Sequence, residues 1–148
     1  MSRLVRAGDV HGSATQVGGF IGSMFRTEVI TRNSYATGDV EGGSRRGGFI
    51  GIVNSVVSSP SPRIEHSYFF GSINTGTRAF LGVDFEDSLT IVSSYWNSDL
   101  NDDDGSSQTS GLTEVEFSDP NQFSGWNFDQ VWIMSDELGR PVLRWEVE

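Results

Sequence analysis

The stretch Gly47-Gly48-Phe49-Ile50-Gly51 decides the fold, because it copies Gly18-Gly19-Phe20-Ile21-Gly22 and returns in altered form as Arg78-Ala79-Phe80-Leu81-Gly82. The phenylalanines of the three copies are almost evenly spaced along the chain. A second element interleaves with the first: Ser34-Tyr35-Ala36-Thr37-Gly38, Ser67-Tyr68-Phe69-Phe70-Gly71 and Ser94-Tyr95-Trp96-Asn97-Ser98, with its tyrosines at a similar interval. A third recurrence aligns Val5-Arg6-Ala7-Gly8-Asp9-Val10 with Tyr35-Ala36-Thr37-Gly38-Asp39-Val40. Such a repeat, with a period of roughly 30 residues, means stacked supersecondary units, since one unit buries little by itself while neighbours share a continuous core.

Each element is short, rich in aromatic and β-branched residues, and bounded by Gly, Ser or Asn, which reads as a strand between turns. No helical periodicity is evident before residue 110. The predicted fold is therefore all-β: a short parallel β-helix-like solenoid of about three coils over residues 1–98, followed by an acidic loop and a C-terminal cap over 99–148, the two forming one folding unit. In such a stack Tyr35, Tyr68 and Tyr95 make one ladder and Phe20, Phe49 and Phe80 another. Residues 5 to 10 resemble the tail of a unit, which leads us to expect further domains in a longer parent chain.

The paired pattern of Gly-Gly-Phe-Ile-Gly with Asn33-Ser34-Tyr35-Ala36-Thr37-Gly38-Asp39-Val40-Glu41-Gly42 resembles the GLUG-motif repeat of bacterial and archaeal surface proteins, adhesin-like and immunoglobulin-A-peptidase-like ones among them. The resemblance covers residues 5 to about 98, and the tail through Gly125-Trp126-Asn127-Phe128 and Pro141-Val142-Leu143-Arg144-Trp145 is similar to the segment that follows the last such repeat. Two departures are Arg78-Ala79 in place of the glycine pair and the inserted Ser58-Ser59-Pro60-Ser61-Pro62. The resemblance implies an extracellular or cell-surface setting, an adhesive or structural role toward a protein or glycan, and no catalytic residues.

In the C-terminal segment, Thr113 and Glu116 have the spacing of a capping box, so a short helix is predicted to start near 114. Asp119-Pro120 opens a further turn. Val131-Trp132-Ile133 reads as a strand, and Leu143, Trp145 and Val147 alternate with polar residues as a last strand. Trp126, Trp132 and Trp145 are assigned to a core that closes the end of the stack and covers its otherwise unpaired edges. The alternative is a sugar-stacking platform.

Composition narrows the chemistry. With 36% hydrophobic and 11% aromatic residues, 148 residues support one core. Cysteine is absent, which removes disulfides and thiolate chemistry. The net charge of −10 argues against a nucleic-acid partner. It is unevenly placed, with eight Arg against five acids in residues 1–82 and two Arg against fifteen acids in 83–148, or +3 and −13. No apolar run approaches the ~20 residues of a membrane span, so insertion of this chain into a membrane is not expected.

Candidate sites are few. In Asp99-Leu100-Asn101-Asp102-Asp103-Asp104-Gly105, the side chains Asp99, Asn101 and Asp103 are the first choice for a calcium ion, the hard cation that such oxygen donors suit. Gly105 stands at the seventh position from Asp99 rather than the sixth and Ser110 at the twelfth in place of Glu, so the stretch departs from an EF-hand loop. A solvated loop is the plainer reading, and no other cofactor is expected. His11 and His66 fall in different units and supply too few ligands for zinc. Paired carboxylates for glycoside hydrolysis would have to come from positions such as Asp9 and Asp39, which recur one unit apart and read more simply as solvent-facing turns. The adjacent apolar pairs Phe20-Ile21, Phe49-Ile50 and Phe80-Leu81 are unusual, because neighbouring residues on a strand face opposite sides. They mark either two covered faces or an exposed stripe for a partner. The expected function is a non-catalytic structural or adhesive module, with a carbohydrate-active or carbohydrate-binding domain and a calcium-stabilised surface module as alternatives.

Overall fold

A computed structural model describes residues 3–13, 15–25, 29–54, 61–74, 78–102 and 106–148. The chain is all-β, with parallel sheets and a single short α-helix among these residues. The strands are only two to five residues long because a Gly, Asn or Ser corner interrupts each after a few steps. Short strands gain stability from long-range pairing, and they find it with their equivalents one repeat away.

The largest sheet has five strands in the order Val5–Arg6, Tyr35–Ala36, Tyr68–Phe69, Tyr95–Asn97 and Ser110–Leu112, all parallel. Its register places Val5, Tyr35, Tyr68 and Tyr95 on one line. A second sheet pairs Ile30–Arg32, Arg63–Glu65 and Thr90–Val92. A third pairs Ile21–Phe25, Ile50–Asn54 and Leu81–Asp84. Two further parallel pairs join Val10–Gly12 to Val40–Gly42 and Gln16–Gly18 to Arg45–Gly47. Successive tiers thus lie over one another at matching positions.

The interior core collects Val40, Phe49, Ile50, Ile64, Phe69 and Phe80 from different tiers. Phe20 stacks on Phe49, and Phe49 on Phe80, each pair with ring centroids 4.7 Å apart and planes within 9° of parallel. That separation is the spacing of paired strands, which carry the rings at equivalent positions. The close approach also explains the glycine pair. A Cβ on Gly48 would stand 2.0 Å from the carbonyl oxygen of Ala79 in the following tier, and one on Gly19 would stand 2.2 Å from that of Gly48. Ala79 occupies the corresponding place just before the terminal strand of its sheet, beyond which no described strand follows, so a side chain is tolerated there.

The apolar pairs are resolved by burial. Phe49, Ile50 and Phe80 are 0% exposed and Leu81 is nearly so, while Phe20 and Ile21 are partly buried against the same core. Both members of each pair pack into the same core cluster, and the strands Gln16–Gly18 and Arg45–Gly47 lie against the third sheet. The expected partner stripe is therefore corrected: Phe49, Ile50, Phe80 and Leu81 are spent inside the chain, and only Phe20 and Ile21 at the first tier retain exposed surface.

In the C-terminal segment, Glu114–Phe117 forms the predicted helix, with Thr113 Oγ1 accepting the Glu116 N–H and the Glu116 carboxylate accepting the Thr113 N–H. Pro120–Gln122 is a 3-10 turn capped by Asp119. Trp132–Ser135 and Arg140–Leu143 form an antiparallel hairpin around Gly139, whose φ is +62°. The expected strand over Leu143, Trp145 and Val147 is not formed. The backbone turns into a 3-10 helix at Arg144–Glu146, because the Glu146 carboxylate folds back to accept the Leu143 N–H.

Candidate functional site

The corners that begin each tyrosine strand recur as Arg3, Asn33, His66 and Ser93, all with φ between 43° and 57°. Asn and His tolerate this left-handed conformation better than most residues. Immediately after the corners, Ser34, Ser67 and Ser94 form a buried ladder. The Ser67 hydroxyl accepts the Ser34 N–H at 3.3 Å, and the Ser94 hydroxyl accepts the Ser67 N–H at 3.2 Å. Each hydroxyl donates its own proton to a carbonyl two residues back, Arg32, Glu65 or Val92.

Alternation along the tyrosine strands sends Ala36, Phe69 and Trp96 into the interior core and Tyr35, Tyr68 and Tyr95 to the opposite face. There the C-terminal segment meets them. Trp132 lies 6.1 Å from both Tyr35 and Tyr68, and Trp126 lies 6.2 Å from Tyr68 and 6.1 Å from Tyr95. One segment therefore spans three tiers along the flank of the sheet. This corrects the expectation that its tryptophans close the end of the stack: rings that leave the interior on every tier create a lateral apolar strip that has to be covered. Trp126 and Trp132 are buried as expected, but Trp145 is 57% exposed. The indoles also reach the corners, with Trp126 Nε1 donating to the Ser93 carbonyl at 2.9 Å and Trp132 Nε1 to Asn33 Oδ1 at 3.4 Å.

Polar contacts lock this contact strip. Tyr35 and Tyr68 stack with centroids 4.7 Å apart and planes 4° from parallel. The Tyr35 hydroxyl donates to the Glu146 carboxylate at 2.7 Å, the Tyr68 hydroxyl donates to the Pro141 carbonyl at 2.6 Å, and Arg140 donates to the Tyr68 oxygen at 2.7 Å. The Arg140 guanidinium also lies over the Tyr35 ring at 5.0 Å. Burial, reinforced by the bond to Glu146, pushes the Tyr35 phenol up to about 12. Burial raises Tyr68 well above the ordinary phenol value. Burial favours the neutral form of both phenols, and with Arg140 and Glu146 they clamp the C-terminal segment to the sheet.

No family model matches the chain, and no curated protein or solved structure is significantly similar to it.

Several of the acidic residues are engaged with backbone. Asp9 Oδ1 accepts the Asp39 N–H at 2.8 Å, and Asp39 Oδ1 accepts the Ser72 N–H at 2.9 Å, so these equivalent carboxylates each cap the turn of the next tier. Asp84 accepts the N–H groups of Ser88 and Leu89. Of the calcium candidates, Asp99 accepts the Glu114 N–H. Asn101 is buried, its Oδ1 accepting the Ile73 N–H while its Nδ2 donates to the carbonyls of Gly71 and Asn97. Asp103 lies outside the described residues, as do residues 58–60 of the inserted loop. Asn101 holds the loop to the third tier, a role that its place in an acidic run concealed. His11 pairs with Glu41 at 2.7 Å across the paired strands Val10–Gly12 and Val40–Gly42, and His66 sits at a corner beside Trp126 with burial depressing its pKa.

Proposed function

We propose that this chain is a short parallel β-helix-like solenoid of about three coils, clamped along one flank by its C-terminal segment. It serves as a non-catalytic structural or adhesive module of a secreted or cell-surface protein. The observation that carries this reading is the pair of ring columns. Phenylalanines and tyrosines drawn from positions one repeat apart lie at one strand spacing, and they coincide with the Ser ladder and the in-register pairing. A scaffold of that kind presents a fixed outer surface with little freedom to lose on binding, which suits recognition by shape.

The non-catalytic part of the reading is supported by how the carboxylates are used. Asp9, Asp39, Asp84 and Asp99 accept backbone N–H groups. The resemblance to GLUG-motif repeats supports the surface setting. The exposed Trp145 ring favours a glycan as the partner, since an indole face can stack on a sugar. The test is a glycan array read for binding and for turnover. Retention of one glycan class, weakened by Trp145→Ala and without cleavage products, is the expected result. Hydrolysis or elimination that vanishes on replacing a single carboxylate would overturn it. A melting temperature lowered by chelator would move the reading to the calcium-stabilised alternative.

A further inference from the structure

The two ends of the stack are unequal. Val40, Phe49 and Ile50 of the second tier are completely buried, whereas their equivalents Val10, Phe20 and Ile21 in the first tier are only partly so. Each first-tier strand is also terminal in its sheet, with a partner on one side alone among the described residues. The backbone pattern shows what that edge offers. Thr37 donates its N–H to the Arg6 carbonyl and Arg45 donates to the Thr15 carbonyl. By register, the N–H groups of Ala7 and Gln16 are the equivalents of these donors and point away from the molecule. Likewise, the Phe49 carbonyl accepts the N–H groups of both Phe20 and Ile21, and the Phe80 carbonyl those of Phe49 and Ile50. The Phe20 carbonyl is the same acceptor at the open edge.

We infer that the first tier is a docking site for one more β-layer: an extended polypeptide of the pattern Gly-Gly-aromatic-aliphatic-Gly that adds parallel and in register, its aromatic ring on Phe20. The occupant follows from continuity. The first tier presents the same Gly-Gly-Phe-Ile-Gly backbone that the second tier presents to the first, so whatever fits one fits the other. Its glycines are required by the incoming strand for the reason that Gly19 is required above Gly48: a Cβ there would lie within 2.2 Å of the carbonyl below. Main-chain bonds of this kind supply affinity in strand addition, and side-chain pockets supply selectivity. The inference rests on the solenoid reading proposed above.

A labelled peptide with the sequence of residues 30–54 is the probe, titrated into the intact chain and followed by fluorescence anisotropy and by amide exchange. Saturable binding is expected, with slowed exchange at Ala7 and Gln16. A peptide carrying Gly48→Val should bind at least about tenfold more weakly, the measure of one or two lost main-chain bonds. On the protein side, Ala7→Pro or Gln16→Pro removes an outward N–H, and each should weaken binding with the melting temperature held. The exchange readout needs no variant and decides the matter if a proline variant fails to fold. Absence of binding, binding without protection at Ala7 and Gln16, or sedimentation showing the edge consumed by a second copy would each overturn the proposal. Gly48→Val in the protein itself tests the stacking beneath it: if that variant melts far below the parent while the peptide does not bind, the docking site falls and the solenoid reading stands.

Discussion

Ser67 and Thr31 are both buried hydroxyl residues with opposite consequences. Ser67 accepts one backbone N–H and donates to a carbonyl, so Ser67→Ala strands the buried Ser34 N–H. A loss of about 1–3 kcal/mol is expected from denaturant unfolding, in line with the cost of an unsatisfied buried donor. Thr31 is paired in register with Ile64, its hydroxyl is buried, and that oxygen has no partner among the described residues. Thr31→Val keeps the shape and removes the orphan, and a gain of up to about 1 kcal/mol is expected in the same measurement. His66 gives a pH signature. Its folded pKa lies below the ordinary 6.5, chiefly through burial, so the unfolded chain binds the proton first. Its contribution is present above pH 6.5 and is lost as pH falls through and below that value. His66→Asn, which keeps a residue suited to the corner, should flatten the melting temperature across that range.

At the scale of elements, the decisive contact is the backbone approach between tiers. Gly48→Ala would push a Cβ into the Ala79 carbonyl oxygen and the Phe69 ring, both within 2.1 Å, with neither able to move aside. Ala79→Gly meets no such obstacle; it removes one buried methyl group and adds chain entropy. Thermal unfolding should therefore separate the pair: a loss of about 3 kcal/mol or more for the first, where backbone and ring are struck together, and of about 1–2 kcal/mol for the second. The same contact shows what the sequence made legible. Recurrence of Gly-Gly-Phe-Ile-Gly and Ser-Tyr placed the phenylalanine column and the Tyr35–Tyr68 pair correctly, and the Thr113/Glu116 spacing located the helix. It did not reveal which way the tyrosines face, because alternation within a two-residue strand has no hydrophobic contrast when both positions are apolar, as at Tyr68-Phe69. Nor could it show that Glu146 would fold back on Leu143 and end the expected last strand, since that depends on a tyrosine 111 residues away. The clamp was unreadable for the same reason: Arg140 opens the short strand Arg140–Leu143 beside Gly139, and its partners Tyr35 and Tyr68 belong to other tiers.

For the whole molecule, the tyrosine clamp ties the stack to its flank, and alkaline pH should loosen it. A phenol whose folded pKa is raised stabilises the fold fully below the unfolded value of 10.0. Above that value the unfolded chain ionises first, and the contribution is lost as pH rises to the folded value of about 12 for Tyr35. The melting temperature should fall steeply over this window, and phenolate absorbance should appear together with unfolding. Glu146→Gln removes the carboxylate that accepts the Tyr35 proton, and phenolate should then form at lower pH.

Tyr35 is paired through its backbone with Val5 and bonded through its hydroxyl to Glu146, so a residue near each terminus meets at one point. Pulled apart by its two ends in an optical trap, the chain would carry the load across that junction before any inner strand felt it. Rupture there should be the first event recorded, with the remaining length released afterwards in steps as tiers peel away. Joining the termini through a short flexible linker should convert this weak mechanical entrance into a closed loop, and a new opening elsewhere would move the breaking point with it.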